Sequence, residues 1–148
     1  GRGAWLEVVY GSADVEGRTV AIQGVGNVGY NLARYLHERG ASLVFSDVNG
    51  GNIDRVMTEF GGEVAEGDDF YGAHVDVLAP CAIGGVINSR TIDLIRAPII
   101  AGGANNVLLD ERVDSERLME KGITYAPDYV INAGGLLSVY AELRGLPT

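Results

Sequence analysis

The sequence predicts an α/β fold, a mostly parallel, twisted sheet with helices packed on both faces. Three observations carry that expectation. Short apolar runs alternate with segments of helical periodicity along the chain, the pattern of strands joined by crossover helices. Twenty-two glycines among 148 residues gather at the ends of those runs, where tight strand-to-helix turns belong. Gly24-Val-Gly-Asn-Val-Gly29 puts glycines on a G-x-G-x-x-G spacing at the first such junction. A chain of this length fits one domain, and no linker, repeat or low-complexity tract divides it. Residues 1–148 are therefore expected to form a single domain.

The elements follow in order. Ala4–Tyr10 reads as an amphipathic helical segment. Thr19-Val-Ala-Ile-Gln23 is continuous and β-branched, as in a strand buried on both faces. Asn27–Arg39 carries Val28, Leu32, Ala33, Tyr35 and Leu36 on a helical period, with Gly40 as its stop. Ser42–Ser46 reads as a second strand ending at Asp47, and Asn52–Phe60 as a helix with Ile53, Val56, Met57 and Phe60 on one face. A short strand is expected at Glu63–Ala65, then a buried one at Val75–Ala79 stopped by Pro80. Ser89–Ile95 predicts a short helix and Pro98–Ala101 a further strand. Asp114–Glu120 opens on a capping residue and runs into Lys121-Gly122, a helix signature. Thr124–Ala126 would be the last strand and Leu136–Leu143 a closing helix. The first and last segments would both pack better with more chain beyond them.

Composition excludes whole classes of function. Eleven basic against twenty acidic residues give a net charge of −9, the wrong sign for a generic binder of nucleic acid or of anionic membranes. Cys81 is the single cysteine, so no internal disulfide can form and a reducing cytoplasm is the expected compartment. No basic segment followed by an apolar stretch opens the chain, which predicts no secretory signal. The apolar stretch Val75–Ile87 is too short and too interrupted to span a bilayer. No metal site is expected.

The glycine motif carries chemistry because of where it stands, directly after the first predicted strand and at the start of the first predicted helix. Gly24 permits the tight turn, Gly26 lets a pyrophosphate approach the backbone, and Gly29 lets helix and strand pack closely. The amides of Asn27 and Val28 would then face the phosphates at a helix N-terminus. Asp47 ends the second strand 18 residues after Gly29, where a carboxylate accepts hydrogen bonds from both ribose hydroxyls and repels a 2′-phosphate. Val48, Asn49 and Gly50 follow, with no arginine before Arg55. NAD is favoured over NADP, and a mere glycine turn beside a surface aspartate is disfavoured because three context checks agree.

Ala79-Pro-Cys-Ala-Ile-Gly-Gly85 follows the fourth strand, at the sheet edge that lines the ligand crevice of such folds. Cys81 has no evident histidine partner and reads as a small packed hydrophobe rather than a nucleophile. His37 and His74 read as surface or edge residues. Asn105 and Asn132 follow the next two strands. Each amide could meet a nicotinamide carboxamide or a substrate carboxylate, or simply hold a turn.

Four ordered segments make the resemblance to a known family plain: Val20-Ala-Ile-Gln-Gly-Val-Gly-Asn-Val-Gly29, Ala79–Gly85, Ile100-Ala-Gly-Gly-Ala-Asn-Asn106 and Tyr125-Ala-Pro-Asp-Tyr-Val-Ile-Asn-Ala-Gly-Gly135. The chain resembles the cofactor-binding domain of the glutamate/leucine/phenylalanine/valine dehydrogenases, with the leucine and phenylalanine branches most similar. The resemblance implies a three-layer Rossmann-type domain and NAD-dependent oxidative deamination of an L-amino acid, leucine-type in the first instance, to a 2-oxo acid and ammonia. It places Gly24, Gly26, Asn27, Val28 and Gly29 on the pyrophosphate, and Asp47 and Val48 at the adenosine ribose. Cys81, Ala82, Ala104 and Asn105 would lie beside the second ribose and nicotinamide. Asn105 would also reach the substrate carboxylate, with Asn132 and Leu136 on the side-chain pocket. The family's catalytic lysines and aspartate belong to an N-terminal domain not found in these residues, so no catalytic residue is expected in this chain. Lys121, its only lysine, reads as a helix cap. The parent is expected to be a homo-oligomer. Two alternatives remain open, a stand-alone NAD-binding or sensing module, and an unrelated enzyme of this fold using Cys81 or Tyr129.

Overall fold

A computed structural model describes residues 4–10, 16–82, 84–101, 107–126, 128–131 and 137–143. Along them run β1 (Ala4–Tyr10), β2 (Thr19–Gln23), α1 (Asn27–Glu38), β3 (Ser42–Ser46), α2 (Gly50–Phe60), β4 (Glu63–Val64), α3 (Gly67–Tyr71) and β5 (Val77–Pro80). They continue with α4 (Ser89–Leu94), β6 (Ile99–Ala101), α5 (Glu111–Lys121), β7 (Thr124–Ala126), β8 (Asp128–Ile131) and β9 (Leu137–Leu143).

Six strands form a parallel sheet in the order β4-β3-β2-β5-β6-β7. The chain builds outward from β2 through β3 to β4, then returns to β5 beside β2 and builds the other way. Strand order therefore reverses between β2 and β5, and the crevice outside their carboxyl ends is the ligand position of such sheets.

Alternate residues of each strand face opposite layers. Val20 and Ile22 of β2, with Leu43 and Phe45 of β3, pack against Leu32, Ala33 and Leu36 of α1 and Val56 of α2. Ala21, Val44, Leu78 and Ile100 face the other way, against Phe70 of α3, Ile92 of α4 and Leu118 of α5. Helices thus cover both faces, and the three-layer α/β arrangement expected from the sequence is present.

Several boundaries differ from expectation. Helix α2 begins at Gly50 rather than Asn52, because the Asn49 side chain caps it by accepting the Asn52 N–H at 3.1 Å. Helix α5 begins at Glu111, three residues before the expected Asp114. Its cap is Asp110, whose carboxylate accepts the Val113 N–H at 3.1 Å, while Asp114 is buried and accepts the Asp110 N–H at 2.8 Å. Pro80 closes β5 from inside the strand; the missing N–H costs nothing there, since Cys81 N–H reaches Gln23 O at 2.7 Å instead.

The larger corrections lie at the two ends. The sequence predicts helices at Ala4–Tyr10 and Leu136–Leu143; the structure instead has strands at Ala4–Tyr10 and Leu137–Leu143, paired antiparallel from Ala4↔Leu143 to Tyr10↔Leu137. Strand β8, not anticipated, pairs with β9 to complete a three-stranded sheet. Seven residues nucleate a helix poorly. Trp5, Val8, Val9 and Tyr10 favour strand, and Leu137, Val139, Ala141 and Leu143 alternate with Ser138, Tyr140 and Glu142 in sequence. Leu136 lies outside the described residues.

Candidate functional site

The turn from β2 into α1 contains three glycines that answer to different demands. Gly24 has φ +86°, and a Cβ there would run into Ala82, whose N and Cα stand 2.9 Å away. A Cβ on Gly29 would strike the Gly24 carbonyl, with the Cys81 Cβ at 3.4 Å on the far side. Both glycines are thus required by the chain's own packing, the turn and the close seat of helix on strand. Gly26 is different. It is exposed, with φ −74°, and the nearest atom to a Cβ built there is Asn52 Nδ2 at 4.0 Å. The space that its missing side chain opens is filled by nothing from the described residues.

Helix α1 starts at this opening. Its N-cap, Gly26, supplies no side-chain hydrogen bond, and no acid stands in its first turn. The first turn closes with Tyr30 N–H to Gly26 O at 2.9 Å, so the amides ahead of Tyr30 have no partner within the helix. Uncapped amides and the positive end of the helix dipole meet there. An open cradle at an uncapped N-terminus fits the phosphates of a dinucleotide.

Asp47 stands across the turn, just past β3. Its Oδ2 accepts the Val25 N–H at 2.9 Å and Asn52 Nδ2 at 3.1 Å, and its Oδ1 accepts the Asn49 N–H at 2.8 Å. Burial pushes its pKa up, but the hydrogen bonds from Asn49, Val25, Asn52 and Val48 outweigh it and hold the carboxyl below its ordinary value. Asp47 is therefore ionised at neutral pH, and its donors are all amides. Beside it Val48 projects fully into solvent, an apolar side chain at the lip of the crevice. Arg55 does not reach over this carboxylate; its guanidinium lies 3.6 Å over the Tyr30 ring and pairs with Glu59 at 3.4 Å.

The structure gathers Gly24, Gly26, Asn27, Val28, Gly29, Asp47, Val48, Cys81 and Ala82 around the β2/β5 switch point. Ala104, Asn105 and Asn132, like Leu136, lie outside the described residues, and of Tyr129 only its place in β8 is described. Lys121 is a cap, but of a neighbour: its Nζ donates to Ile92 O at 2.5 Å and Ile95 O at 2.7 Å, at the end of α4. His37 and His74 are exposed; His37 packs on Phe60, and His74 meets Arg96 at 2.5 Å. Among the described residues no group of three or more His, Cys, Asp or Glu could hold a metal ion. None of their helices is long and apolar enough to cross a membrane.

Sequence reasoning missed Asn52 and Gln23. Gln23 Nε2 donates to Tyr71 Oη at 2.8 Å, while its Oε1 is buried without a partner. Asn49, read only as a residue after Asp47, carried the available signal, an asparagine before Gly-Gly-Asn-Ile where a helix cap belongs.

A parallel six-stranded sheet, helices on both faces and a G-x-G-x-x-G turn at the strand-order reversal define a Rossmann-type domain. Comparison with known proteins narrows the class. The family model of the glutamate/leucine/phenylalanine/valine dehydrogenases matches residues 5–61 and 52–145, and the chain belongs to that family. It is 47% identical over 145 residues to leucine dehydrogenase of Bacillus subtilis (strain 168), covering 98% of this chain and 40% of that protein. It is 49% identical over 142 residues to L-tryptophan dehydrogenase of Nostoc punctiforme, covering 96% of this chain and 40% of the relative. The crystal structure of L-tryptophan dehydrogenase from Nostoc punctiforme superposes with a TM-score of 0.75 at 51% identity, over 82% of this chain and 36% of that one. The chain thus spans about 40% of the length of these relatives.

Proposed function

We propose that this chain is the NAD-binding domain of an amino-acid dehydrogenase that oxidatively deaminates an L-amino acid with an apolar side chain, leucine-type in the first instance, to a 2-oxo acid and ammonia. The observation that carries the reading is the open cradle at Gly26, between the uncapped start of α1 and the ionised Asp47. The pyrophosphate would rest on the amides of Gly26, Asn27, Val28 and Gly29. Asp47 would take the adenosine ribose hydroxyls, with Val48 against the adenosine. A carboxylate held ionised repels a 2′-phosphate, and Arg55 is engaged elsewhere, which supports NAD over NADP.

Cys81 and Ala82 close the crevice on the β5 side, where the nicotinamide half would lie with Ala104 and Asn105. Asn105 would reach the substrate carboxylate, and Asn132 and Leu136 would border the substrate side chain. When bound, NAD supplies the hydride acceptor; the chain's own residues hold and orient it. The acid–base groups belong to the rest of the family's length. The names of the relatives, leucine and L-tryptophan dehydrogenases, support an apolar substrate. Assembly of the parent as a homo-oligomer in the cytoplasm belongs to the same proposal.

Calorimetric titration tests the reading. Saturable NAD binding, weaker NADP binding and loss of NAD binding in Asp47→Ala are expected. A folded chain that binds no NAD would refute it.

A further inference from the structure

We propose that Asn52 is a positioning residue, which holds Asp47 against the glycine loop and so sets the discrimination between a dinucleotide with a free 2′-hydroxyl and one with a 2′-phosphate. The inference rests on the NAD reading above and gives a role in it to a side chain outside the glycine motif and the acidic position.

Asn52 lies in the first turn of α2, fixed there by its N–H to the Asn49 cap at 3.1 Å. Its side-chain nitrogen donates to Asp47 Oδ2 at 3.1 Å, the same oxygen that accepts the Val25 N–H at 2.9 Å. That nitrogen is also the nearest atom, at 4.0 Å, to where a Cβ on Gly26 would stand. One amide therefore borders both the carboxylate and the cradle. A carboxylate turns readily about its last torsion; two donors on Oδ2, with the Asn49 N–H on Oδ1, oppose that turn. The choice of an amide matters as well. It donates to Asp47 without bringing a positive charge that would welcome a 2′-phosphate, as lysine or arginine would.

The experiment is calorimetric titration of the wild-type chain, Asn52→Ala and Asn52→Asp with NAD and with NADP. In Asn52→Ala, NAD binding is expected to weaken about 5–10-fold, the loss of one hydrogen bond to a charged group at a half-exposed site, and the preference for NAD over NADP to narrow. Asn52→Asp keeps the side-chain shape and sets a second carboxylate beside Asp47. It should bind NAD poorly at pH 7 and recover as pH falls toward about 5, when the pair shares a proton. This isosteric variant carries the test if the alanine variant does not fold. Unchanged NAD affinity and preference in Asn52→Ala, or equal weakening for both cofactors, would overturn the proposal, and so would NAD binding by Asn52→Asp that ignores pH. Failure of the wild type to bind NAD overturns the underlying reading and this inference with it.

Discussion

Two alanine substitutions, Gly26→Ala and Gly29→Ala, separate what the glycine loop does for the fold from what it does for a ligand. At Gly29 the new methyl group would meet the Gly24 carbonyl, with its carbon at 2.9 Å. Backbone cannot step aside as a flexible side chain can, so the cost is that of overpacking, about 1–3 kcal/mol. At Gly26 the nearest atom is 4.0 Å away, so the added methyl group meets no neighbour. The fold loses no contact there and suffers no overpacking. For a domain of this size about 1 kcal/mol moves Tm by roughly 2–4 °C. Gly29→Ala should therefore melt roughly 2–12 °C below wild type, and Gly26→Ala above Gly29→Ala. Affinity should order them differently. A methyl group in the cradle holds the pyrophosphate off the amides, and losing a charge-assisted hydrogen bond of about 1.5–3 kcal/mol weakens NAD binding by roughly 10–100-fold. Thermal unfolding by circular dichroism and calorimetric NAD titration on the same samples supply both readings. Wild-type NAD affinity in Gly26→Ala, or equal loss of stability in both variants, would refute the division of labour between these glycines.

Asp47, with its carboxyl held below the ordinary value of about 3.9, stabilises the fold fully above that value and less as pH falls through its folded pKa. The stability gap between wild type and Asp47→Ala in urea unfolding should stay constant from pH 7 to 5 and close only below about pH 4; closure between pH 7 and 5 would contradict the assignment. Lys121→Met removes both hydrogen bonds that Nζ donates to the end of α4 and should cost about 1 kcal/mol with NAD affinity unchanged, so a selective loss of binding would show that Lys121 does more than cap. Phe45, fully buried between β3 and α1–α2, should cost about 3–5 kcal/mol as Phe45→Ala, measured by the urea midpoint. A loss below about 1 kcal/mol would mean that this layer is not the core described.

What could be read from sequence was local. Thr19–Gln23 and Ser42–Ser46 match β2 and β3 to the residue, because a strand buried on both faces is a continuous apolar run bounded by turn residues. The glycines and Asp47 were legible for the same reason, since each role depends on a strand end and a helix start adjacent in the chain. The antiparallel sheet was not legible. Its pairing joins residues 4–10 to 137–143, and a seven-residue amphipathic segment satisfies helical and extended periodicities almost equally. Gly67–Tyr71 is too short to show a period, and at α5 Asp110 and Asp114 both satisfy the rule for a cap, leaving packing to choose. Asn52 was invisible for a different reason: its partner is five residues away across a helix cap, and only the geometry of that first turn brings amide and carboxylate together.

The hydrogen bonds beyond the strand ends explain how this crevice can stand ready before a ligand arrives. Cys81 N–H to Gln23 O at 2.7 Å, Gly24 N–H to Ser46 O at 2.7 Å and Ala65 N–H to Phe45 O at 3.0 Å carry the parallel ladder one step past its strands, into the loops after β5, β2 and β4. Asp47 adds a fourth tie through Val25 N–H, so the loop after β2 is fastened to the loop after β3 by backbone and side chain together. A site fastened in this way spends little of its interaction energy on ordering loops when it binds. Asp47 then acts twice, as the acceptor proposed for the ribose and as a strut of the cradle wall. Its truncation to alanine should cost more affinity than a ribose contact alone, because the Val25 amide is released as well. Asp47→Asn divides the two effects: it keeps one oxygen for Val25 and Asn52, which share Oδ2, but offers the Asn49 N–H a donor instead of an acceptor and removes the charge. NAD affinity in Asp47→Asn should therefore fall between wild type and Asp47→Ala. Equal affinities in the two variants would show that the carboxylate does not brace the loop.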